Sequence, residues 1–560
     1  MDRVALDQAI ATLQQNKEAW VRVSVDRKVE LLEELIRGTA AVADRQVAAA
    51  AQAKGLSPES PLVGEDYLGG PVVTVRNLRL LAGTLRDVAR YGRPRLDEKR
   101  IRTRAGGQVV VEVFPLNLLE KFLYPGFSAE VWMQPGVTPD SLPYHMAHFY
   151  RQSTPVGRVA LVLGAGNVAS IGPLDVVHKL FVEGQVCLLK MNPVNEYLGP
   201  FIEEAFAPLV RQGFVRVVYG GPEAGEYLCT HPGIDEIHIT GSDKTHDAIV
   251  FGTGKAGADR KRNKQPQNAR RITSELGNVS PIVVVPGLWS DAEVQFQAEN
   301  IVTQMTNNVG FNCNAAKVIV THEKWPQRRA LLDAVRKVLR ELPQRRAYYP
   351  GAEGRYDAFV KTHPQAEEFG TRRQGELPWA LIPGVSADNT DEACFTTESF
   401  CGVTAETTLP GADAAEFLAA AVQFCNTRLW GTLNAEILVH PASASYLGQS
   451  LDQAIADLRY GTVSLNHWPA MAYALGTTTW GAYPGHTLED IQSGIGVVHN
   501  AFLFDKPEKT VVRGPFRMFP KPPWFVTHKQ MLAVGRKLLE YEQEPSLKHI
   551  PSIAVRAIFG

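Results

Sequence analysis

Apolar residues at helical spacing predict that the first hundred residues are mostly helical. They recur three and four positions apart at Leu31, Leu32, Leu35 and Ile36. This is the spacing of one buried helix face. The alanine-rich residues 40–53 continue the same pattern.

Short apolar runs that alternate with helical segments replace this pattern from residue 156 onward. Four runs predict strands, at residues 158–163, 185–190, 215–219 and 236–239. The stretches 173–181 and 197–210 between them have helical spacing. Because strands that are apolar throughout and alternate with helices are typical of parallel sheets covered on both faces, we predict a doubly wound α/β domain.

The same alternation continues through residues 276–480, for example in the apolar runs 280–285 and 317–320. The sequence therefore predicts two tandem α/β domains, each with a mainly parallel sheet. Ahead of them, residues 109–113 predict a strand. Residues 125–155 are rich in Pro and Gly and predict a hairpin-like arm instead of a packed helix.

Composition and charge are those of an ordinary globular protein, and they exclude several classes of partner. The 560 residues are 45% hydrophobic and 21% charged, with a formal net charge of -1. No global field therefore favours nucleic acid or an anionic membrane. The apolar stretches are too short and too interrupted to span a bilayer. The six cysteines contain no CxxC pair, which indicates reduced thiols and a cytoplasmic location.

Three segments raise the question of anion binding. Residues 255–271 carry seven Lys and Arg against one acid, but no aromatic residues interleave with them, so we interpret the stretch as a solvated surface loop. Residues 252–257 match GxGxxG without the required strand and helix, which indicates chance. Gly164–Ala169 resembles GxGxxA between a predicted strand and a predicted helix, so a conventional Rossmann interpretation stays open there.

Cys313 and Glu275 are the residues whose surroundings predict catalysis. Cys313 follows Gly310 and lies between Asn312 and Asn314. This predicts a turn that enters a helix, where backbone N–H groups lower the pKa of a thiol and bind an oxyanion. Glu275 lies in a similar polar turn. A thiolate attacks a carbonyl carbon, and a carboxylate activates the water that releases the product.

Other catalytic chemistry finds little support in the sequence. It contains no GxSxG, Walker or HExxH motif. His145 and His148 are three residues apart, but their Pro-rich surroundings argue against a metal site. We therefore predict no metal.

Five segments, taken in order, resemble motifs of the aldehyde dehydrogenase superfamily. They are His231–Ser242, Glu275–Asn278, Asn308–Cys313, Glu398–Phe400 and Gly461–Asn466. The second is similar to the Glu-Leu-Gly-Gly motif, and the third to Asn-x-Gly-Gln-x-Cys with Phe311 in place of Gln. The first resembles the segment that precedes the cofactor phosphates, the fourth the Glu-x-Phe motif, and the last the wall of the substrate tunnel. The match runs from about residue 156 to residue 466.

The resemblance implies a role for each part of the chain. Residues 1–124 and 156–274 would form the dinucleotide-binding domain, and residues 275–480 the catalytic domain with its nucleophilic cysteine. Residues 125–155 and 495–515 would form an oligomerisation arm, which predicts a homodimer or homotetramer. Residues 516–560 extend past the usual end, and the sequence gives no role for them.

The resemblance also implies NAD(P)-dependent oxidation of an aldehyde to a carboxylic acid. Cys313 would attack the aldehyde to form a thiohemiacetal, with the oxyanion stabilised by Asn167 and the backbone N–H of Cys313. Hydride loss to a nicotinamide would leave a thioester, and Glu275 would activate water to hydrolyse it. Asn167 is then catalytic, which replaces the Rossmann interpretation of Gly164–Ala169.

The cofactor, NAD or NADP, is assigned its residues in the same way. Lys190 would bind the adenosine ribose, and Gly241 with Ser242 would place the pyrophosphate at a helix start. Glu398 would bind the nicotinamide ribose, and Phe400 would pack near the ring.

Departures from the family pattern leave several points open. Pro193 stands where NAD-selective members often have Glu, so NADP is not excluded. His246 stands where many members have Gly. The substrate tunnel is expected near Phe181, Trp430 and Trp468, which gives only weak support to an apolar or aromatic aldehyde.

Two alternatives to aldehyde oxidation by water remain open. One is a CoA-acylating aldehyde dehydrogenase or acyl-thioester reductase, and the presence of Glu275 argues against it because such members often lack this residue. The other is a non-catalytic scaffold that keeps the fold, motivated by Phe311 and His246.

Overall fold

The protein is described by a computed structural model that covers residues 2–560. Its strands are β1 (Ile101–Thr103), β2 (Val109–Phe114), β3 (Ser128–Met133), β4 (Val159–Leu163), β5 (Val186–Lys190), β6 (Val215–Val218), β7 (Glu236–Gly241), β8 (Arg271–Leu276), β9 (Ser280–Val284), β10 (Ala316–His322), β11 (Glu367–Phe369), β12 (Trp379–Val385), β13 (Val403–Leu409), β14 (Asn434–Leu438), β15 (Thr462–Leu465), β16 (Trp480–Gly481), β17 (Gly494–Ile495), β18 (Val497–Val498) and β19 (Pro507–Arg513).

The α-helices cover both faces of the sheets and form the two ends of the chain. They are α1 (Arg3–Arg22), α2 (Val25–Lys54), α3 (Gly64–Tyr67), α4 (Val73–Tyr91), α5 (Leu118–Leu123), α6 (Ile171–Val177), α7 (Gly199–Ala205), α8 (Ala207–Arg211), α9 (Pro222–Thr230), α10 (Asp243–Phe251), α11 (Gly254–Arg262), α12 (Asp291–Thr306), α13 (Arg328–Glu341), α14 (Ala352–Val360), α15 (Ala393–Thr396), α16 (Ala414–Arg428), α17 (Pro441–Leu447), α18 (Gln449–Asp457), α19 (Ala470–Leu475), α20 (Met531–Gln543) and α21 (Ile550–Ile558).

The first α/β domain is built on a six-stranded sheet with the order β17-β8-β7-β4-β5-β6. All neighbours are parallel except β17, which pairs antiparallel with β8. The chain leaves β4 toward β5 and β6 on one side and returns to β7 on the other. Loops that diverge in this way open a crevice at the carboxyl ends of β4 and β7, where doubly wound proteins bind ligands. The predicted α/β architecture is therefore confirmed in this part.

The second domain is built on an eleven-stranded sheet with the order β1-β2-β3-β19-β15-β14-β9-β10-β13-β12-β11. The seven strands from β19 to β12 form six neighbouring pairs, all of them parallel. The central strands β9, β10 and β14 are buried on both faces. Near-continuous apolar runs such as 280–285 predict this burial, because helices cover both faces of a parallel sheet.

The predicted hairpin arm is part of this second sheet. β3 pairs antiparallel with β2 on one edge and with β19 on the other, all within one chain. The pairing agrees with the grouping of residues 125–155 with residues 495–515. It also leaves β3 without a free edge, because β19 continues into the parallel strands of the same chain. A homodimer or homotetramer stays a prediction.

The basic stretch at residues 255–271 is not the solvated loop that its charges indicated. Its first part forms α11, which Lys261 ties to α10 through an ion pair of 2.6 Å with Asp247. Arg271 pairs with Glu183 and Glu236, each at 2.6 Å. The predicted loop is wrong because Lys, Arg and Ala are good helix formers, whereas the predicted surface position is correct, since none of the Lys and Arg residues in the stretch is buried.

The C-terminal extension packs against the N-terminal helices of its own chain. α20 crosses α3 so closely that a Cβ added to Gly535 would lie 2.8 Å from the Cβ of Tyr67, and one added to Gly64 would lie 2.5 Å from the backbone of Met531. Glycine is required at both crossings for this reason. None of the helices in residues 2–560 is both long and apolar enough to cross a membrane.

Candidate active site

The candidate site lies where the two sheets meet. β8 ends at Leu276, and three residues carry the chain into β9 of the second sheet. Glu275 is therefore at the carboxyl edge of the first sheet, and Cys313 precedes β10 at the amino edge of the second. Both residues and Asn167, which follows β4, line one cavity of about 280 Å³. The structure thus brings together the three residues predicted to be catalytic.

The turn before Cys313 is held in a strained conformation. Asn308 and Val309 have φ of 50° and 61°, in the left-handed region, which costs a β-branched residue on the order of 1–3 kcal/mol. Gly310 continues it with φ of 76°, and a Cβ there would lie 2.7 Å from the backbone of Cys401. The surrounding structure must therefore hold this turn in place.

A buried ion pair from outside the sequence motifs supports the strained turn. The Asn308 N–H donates to Glu65 Oε2 at 3.1 Å. The same carboxylate accepts two hydrogen bonds from Arg345, at 2.8 and 3.0 Å. Both side chains are almost fully buried, at 4% and 5% exposure. Glu65 lies on α3, almost 250 residues from Asn308 along the chain, so no local pattern pointed to it.

Replacing Glu65→Gln is expected to destabilise the protein strongly, because it leaves the Arg345 charge buried without a partner. Loss of one member of a buried pair costs about 3–5 kcal/mol, measured as the free energy of unfolding in urea. The matched control is Glu204→Gln, which removes an exposed pair with Arg45 and should leave the unfolding midpoint unchanged. Equal midpoints for the two variants would contradict the role given to Glu65.

Cys313 differs from the other cysteines in its accessibility. It is half-buried, whereas the other five are buried. The predicted turn is present, but it leads into β10 and not into a helix, so the expected helix start that would lower the thiol pKa is absent. Burial, together with the nearby carboxyls of Glu275 and Glu398, raises the pKa of the Cys313 thiol well above its usual range. The sulfur therefore needs a base to become a nucleophile.

Glu275 is placed to be that base. The Cys313 thiol and the Glu275 carboxyl line the same cavity, and Trp480 Nε1 donates to Glu275 Oε1 at 2.9 Å. Burial raises the pKa of Glu275 to about 8, although Trp480 and the Cys313 thiol lower it in part. A carboxyl with a pKa near the ambient pH can both accept and return a proton. Trp480 is a site residue that the sequence motifs did not identify.

Asn167 is locked beside the same loop. Its side-chain Nδ2 donates to the Phe311 backbone carbonyl at 3.0 Å. Its backbone carbonyl accepts from Asn308 Nδ2 at 2.9 Å. One hydrogen of the Nδ2 group stays available, because an amide nitrogen carries two. A buried amide at the wall of the cavity is the kind of preorganised donor that stabilises an oxyanion.

Phe311, the departure from the family pattern, is the centre of an aromatic cluster. Its ring is fully buried. The distances between ring centroids are 5.1 Å to Tyr348, 5.6 Å to Tyr349 and 5.9 Å to Phe400. Phe400 itself has φ of 41°. Apolar packing of Phe311 therefore supports the loop that leads to Cys313.

The residues predicted to bind the cofactor lie at the carboxyl edge of the first sheet. Lys190 ends β5 and Gly241 ends β7, on opposite sides of β4. Ser242 begins α10 as its N-cap, with its hydroxyl accepting from the Thr245 N–H at 3.2 Å. Burial lowers the pKa of Lys190. These groups flank the crevice that the strand order opens.

Glu398 and Phe400 approach this crevice from the second domain. Glu398 accepts from the Asn278 N–H at 3.4 Å, and a Cβ added to Gly277 would lie 2.1 Å from Glu398 Oε2. Glycine at 277 therefore makes room for this carboxyl group. Burial raises the pKa of Glu398 to about 7, partly offset by Lys317.

The predicted tunnel residues are only partly correct. Trp468 lines the cavity, and its Nε1 donates to the Asn314 carbonyl at 2.8 Å. Phe181 does not line it, since it is fully buried against Trp20 in the core of the first domain, 5.3 Å between ring centroids. Trp430 borders a separate surface pocket. Tyr473, which the sequence did not indicate, lines the cavity instead.

Residues His363, Glu392 and Cys394 form a buried cluster of donor types that bind metals. His363 Nε2 lies 3.1 Å from Glu392 Oε1, and Nδ1 lies 2.7 Å from the Phe359 carbonyl. The Cys394 N–H donates to Glu392 Oε1 at 2.9 Å. These contacts join α14 to α15, which explains the cluster as structural, and the absence of a metal stays a prediction.

Thiol labelling is expected to select Cys313. Because the other five cysteines are buried, iodoacetamide should modify Cys313 first in the native protein. Because its thiol pKa is raised, the labelling rate should increase with pH well above pH 8. Peptide mass spectrometry after timed quenching measures both effects. Earlier labelling of a buried cysteine such as Cys425 would contradict the site described here.

Comparison with known proteins supports the same assignment by sequence. The model of the aldehyde dehydrogenase family matches residues 129–351. N-succinylglutamate 5-semialdehyde dehydrogenase of Sphingopyxis alaskensis is 28% identical over 192 residues, which are 34% of this chain and 35% of that protein. Retinal dehydrogenase 2 of Homo sapiens is 30% identical over 187 residues, 32% of this chain and 30% of that protein. The chain thus spans about a third of the length of the curated relatives it matches.

Solved structures extend the similarity to almost the whole chain. NAD-dependent aldehyde dehydrogenase from Sinorhizobium meliloti has a TM-score of 0.60 at 15% identity, over 93% of this chain and 88% of that one. NADP-dependent glyceraldehyde-3-phosphate dehydrogenase from Bacillus halodurans has a TM-score of 0.59 at 16% identity, over 91% of each chain. The resemblance predicted from the motifs is therefore confirmed, and the chain has the fold of the aldehyde dehydrogenase superfamily.

Proposed function

We propose that this protein is an NAD(P)-dependent aldehyde dehydrogenase that oxidises an aldehyde to a carboxylic acid through Cys313. The observation that carries the proposal is the meeting of a half-buried thiol, a carboxyl of raised pKa and a locked amide in one cavity. The family match over residues 129–351 supports it.

The residues at the crevice fit a dinucleotide. Lys190 supplies a buried ammonium group and Ser242 a hydroxyl at a helix start, on the two sides of β4. Lys190 would hold the adenosine ribose, Gly241 and Ser242 the pyrophosphate, and Glu398 the nicotinamide ribose, with Phe400 beside the ring. When bound, NAD or NADP supplies the hydride acceptor.

In the first half of the reaction, the Cys313 sulfur adds to the aldehyde carbon. The thiol proton passes to the Glu275 carboxylate, which lines the same cavity. The carbonyl oxygen becomes an alkoxide, and the free N–H of Asn167 stabilises it in a site largely closed to water. After the hydride has left, the carbonyl re-forms as a thioester on Cys313.

In the second half, Glu275 acts on water. It first returns its proton to solvent, and then takes a proton from a water molecule whose oxygen attacks the thioester carbon. The carbon–sulfur bond breaks, the acid leaves, and Glu275 gives its proton to the Cys313 sulfur, which restores the thiol and the carboxylate. Trp480 holds the Glu275 carboxyl toward the sulfur throughout.

A panel of aldehydes tests the proposal with NAD and with NADP, each with and without CoA. We expect the nicotinamide absorbance to increase with at least one aldehyde, without CoA, and a carboxylic acid to accumulate. Turnover only with CoA would favour the acylating alternative. The absence of turnover with any aldehyde and either cofactor would overturn the proposal.

A further inference from the structure

The cavity at Cys313 continues outward between the N-terminal helices and the C-terminal extension. Its inner wall is apolar, with Val168, Ile171, Met471 and Tyr473 beside the catalytic residues. Farther out, the wall is formed by α5 and by residues of the extension. The outer members include Phe122, Leu123, Met518, Trp524, Ile553 and Ala554.

We propose that the substrate is an unbranched, long-chain apolar aldehyde and that residues 516–560 form the wall that selects it. The inference rests on the proposed function, since it assumes that Cys313 attacks an aldehyde. It gives the C-terminal extension a role that the sequence left unassigned. The aldehyde carbon would lie at Cys313, and the hydrocarbon chain would run outward along α21.

Apart from two acids, Glu275 and Asp175, the charged groups that line the cavity have partners of opposite charge. Arg76 pairs with Glu120 at 2.7 Å and with Glu542 at 3.0 Å. Glu65 is occupied by Arg345, and Lys521 pairs with Glu299 at 2.9 Å. A substrate with an anionic or phosphorylated body would therefore be desolvated without gaining a counter-ion. An apolar chain has no such cost.

The extension is firmly attached and can serve as a fixed wall. Glu542 of α20 is fully buried and binds Arg76 and Arg79 of α4. The glycine crossings at 64 and 535 hold α20 against α3. Because these contacts lie directly behind the cavity lining, the width of the channel is set by packing and not by a mobile segment.

Apolar side chains also surround the outer end of the cavity. Phe122 of α5 lines the cavity and is 65% exposed, and Leu118 on the same helix is 69% exposed. On α21, Ile558 is exposed, as is Phe559 directly after the helix. An apolar rim of this kind gives a poorly soluble chain a favourable entry to the channel.

A series of linear aldehydes from propanal to dodecanal tests the inference. Each buried methylene contributes about 0.8 kcal/mol, or roughly threefold to fourfold in affinity. We therefore expect kcat/KM to increase by about that factor per carbon, reaching on the order of 10²-fold or more between propanal and octanal. Succinic semialdehyde should be a poorer substrate than butanal. A flat or declining series, or a preference for the charged aldehyde, would overturn the inference.

A binding measurement separates this inference from the proposed function. Fatty acids from butanoate to dodecanoate should quench the fluorescence of Trp468, Trp480 and Trp524, which all line the cavity. Affinity should increase with chain length even if no aldehyde is oxidised. Tight binding of long-chain fatty acids without turnover of any aldehyde would support the apolar channel and contradict the proposed enzymatic function. Binding independent of chain length would overturn the inference.

Two tryptophan substitutions on α21 locate the channel. Ala554→Trp adds bulk to an exposed position that lines the cavity, whereas Val555→Trp adds the same bulk next to it, at an exposed position outside the lining. We expect Ala554→Trp to lower the dodecanal-to-propanal ratio of kcat/KM at least about tenfold, if two or more methylenes lose their contacts. Val555→Trp should keep the ratio. An equal effect of both would place the chain elsewhere and overturn the inference.

Discussion

Cys313→Ala is expected to abolish aldehyde-dependent reduction of the nicotinamide. Removing the nucleophile of a covalent mechanism typically lowers kcat on the order of 10⁴–10⁶-fold, because the remaining residues cannot form the intermediate. The loss should be in kcat with every aldehyde that the native protein oxidises. Stopped-flow absorbance at the nicotinamide band would measure it, and the variant should also lack the fast phase of reduction.

The matched control is Cys425→Ala, a cysteine that is buried on α16 and does not line the cavity. It should retain activity and the fast phase. Both variants should bind the cofactor, which shows that the loss in Cys313→Ala comes from chemistry and not from misfolding. Turnover by Cys313→Ala at the native rate would remove the covalent mechanism altogether.

Glu275→Gln is expected to slow both halves of the reaction. Without a carboxylate to activate water, the steady-state rate should fall by about 10²–10⁴-fold, the usual contribution of a general base. Because the same carboxylate also accepts the Cys313 proton, the fast phase of nicotinamide reduction should slow as well, which stopped-flow absorbance would measure. Gln keeps an oxygen that can accept from Trp480 Nε1, so the local packing is preserved.

The same residue predicts the pH dependence of the native protein. With a pKa of about 8, only about a tenth of Glu275 is ionised at pH 7. Because the carboxylate is the active form, the rate of hydrolysis should increase with pH, by about tenfold per unit below pH 8, and become constant above it. In Glu275→Gln this increase should be absent.

Glu436→Gln tests whether replacing a buried carboxyl outside the cavity changes the pH profile. Glu436 is another buried carboxyl, with a pKa raised by burial to about 7, but it lies on β14 outside the cavity and accepts hydrogen bonds from Gln304 and Asn300. Its replacement should leave the pH profile unchanged. If Glu275→Gln kept the native profile, another group would have to activate the thiol and the water.

The parallel strands were predictable because their sequence pattern is local. Apolar runs such as 158–163 and 280–285 are buried on both faces, and β4 and β9 form within those stretches. The motifs around Glu275 and Cys313 were predictable for a related reason, since the chemistry demands particular residue types at short spacing. The local pattern did not predict the structure of residues 255–271, because Lys261 and Arg271 form ion pairs with Asp247 and Glu183, which lie outside the stretch.

Contacts between distant parts of the chain were not predictable. Glu65 supports the Cys313 turn from α3, and Trp480 orients Glu275 from a strand some two hundred residues later. Phe181 illustrates the converse: an aromatic residue expected in the tunnel is packed against Trp20 in the other core. A pattern along the chain shows which faces are apolar, but it does not show which of them meet.

The sequence by itself determined the fold class and indicated the candidate reactive groups, because alternation of apolar runs and short polar turns is encoded within a few residues of each element. Tertiary structure alone decided how these groups act. In the folded protein the Glu275 carboxyl is buried, which raises its pKa. The turn at Cys313 is followed by a strand and not by a helix. The C-terminal helices line the cavity. Each of these depends on desolvation or packing between residues hundreds of positions apart, and such contacts leave no mark in the local sequence.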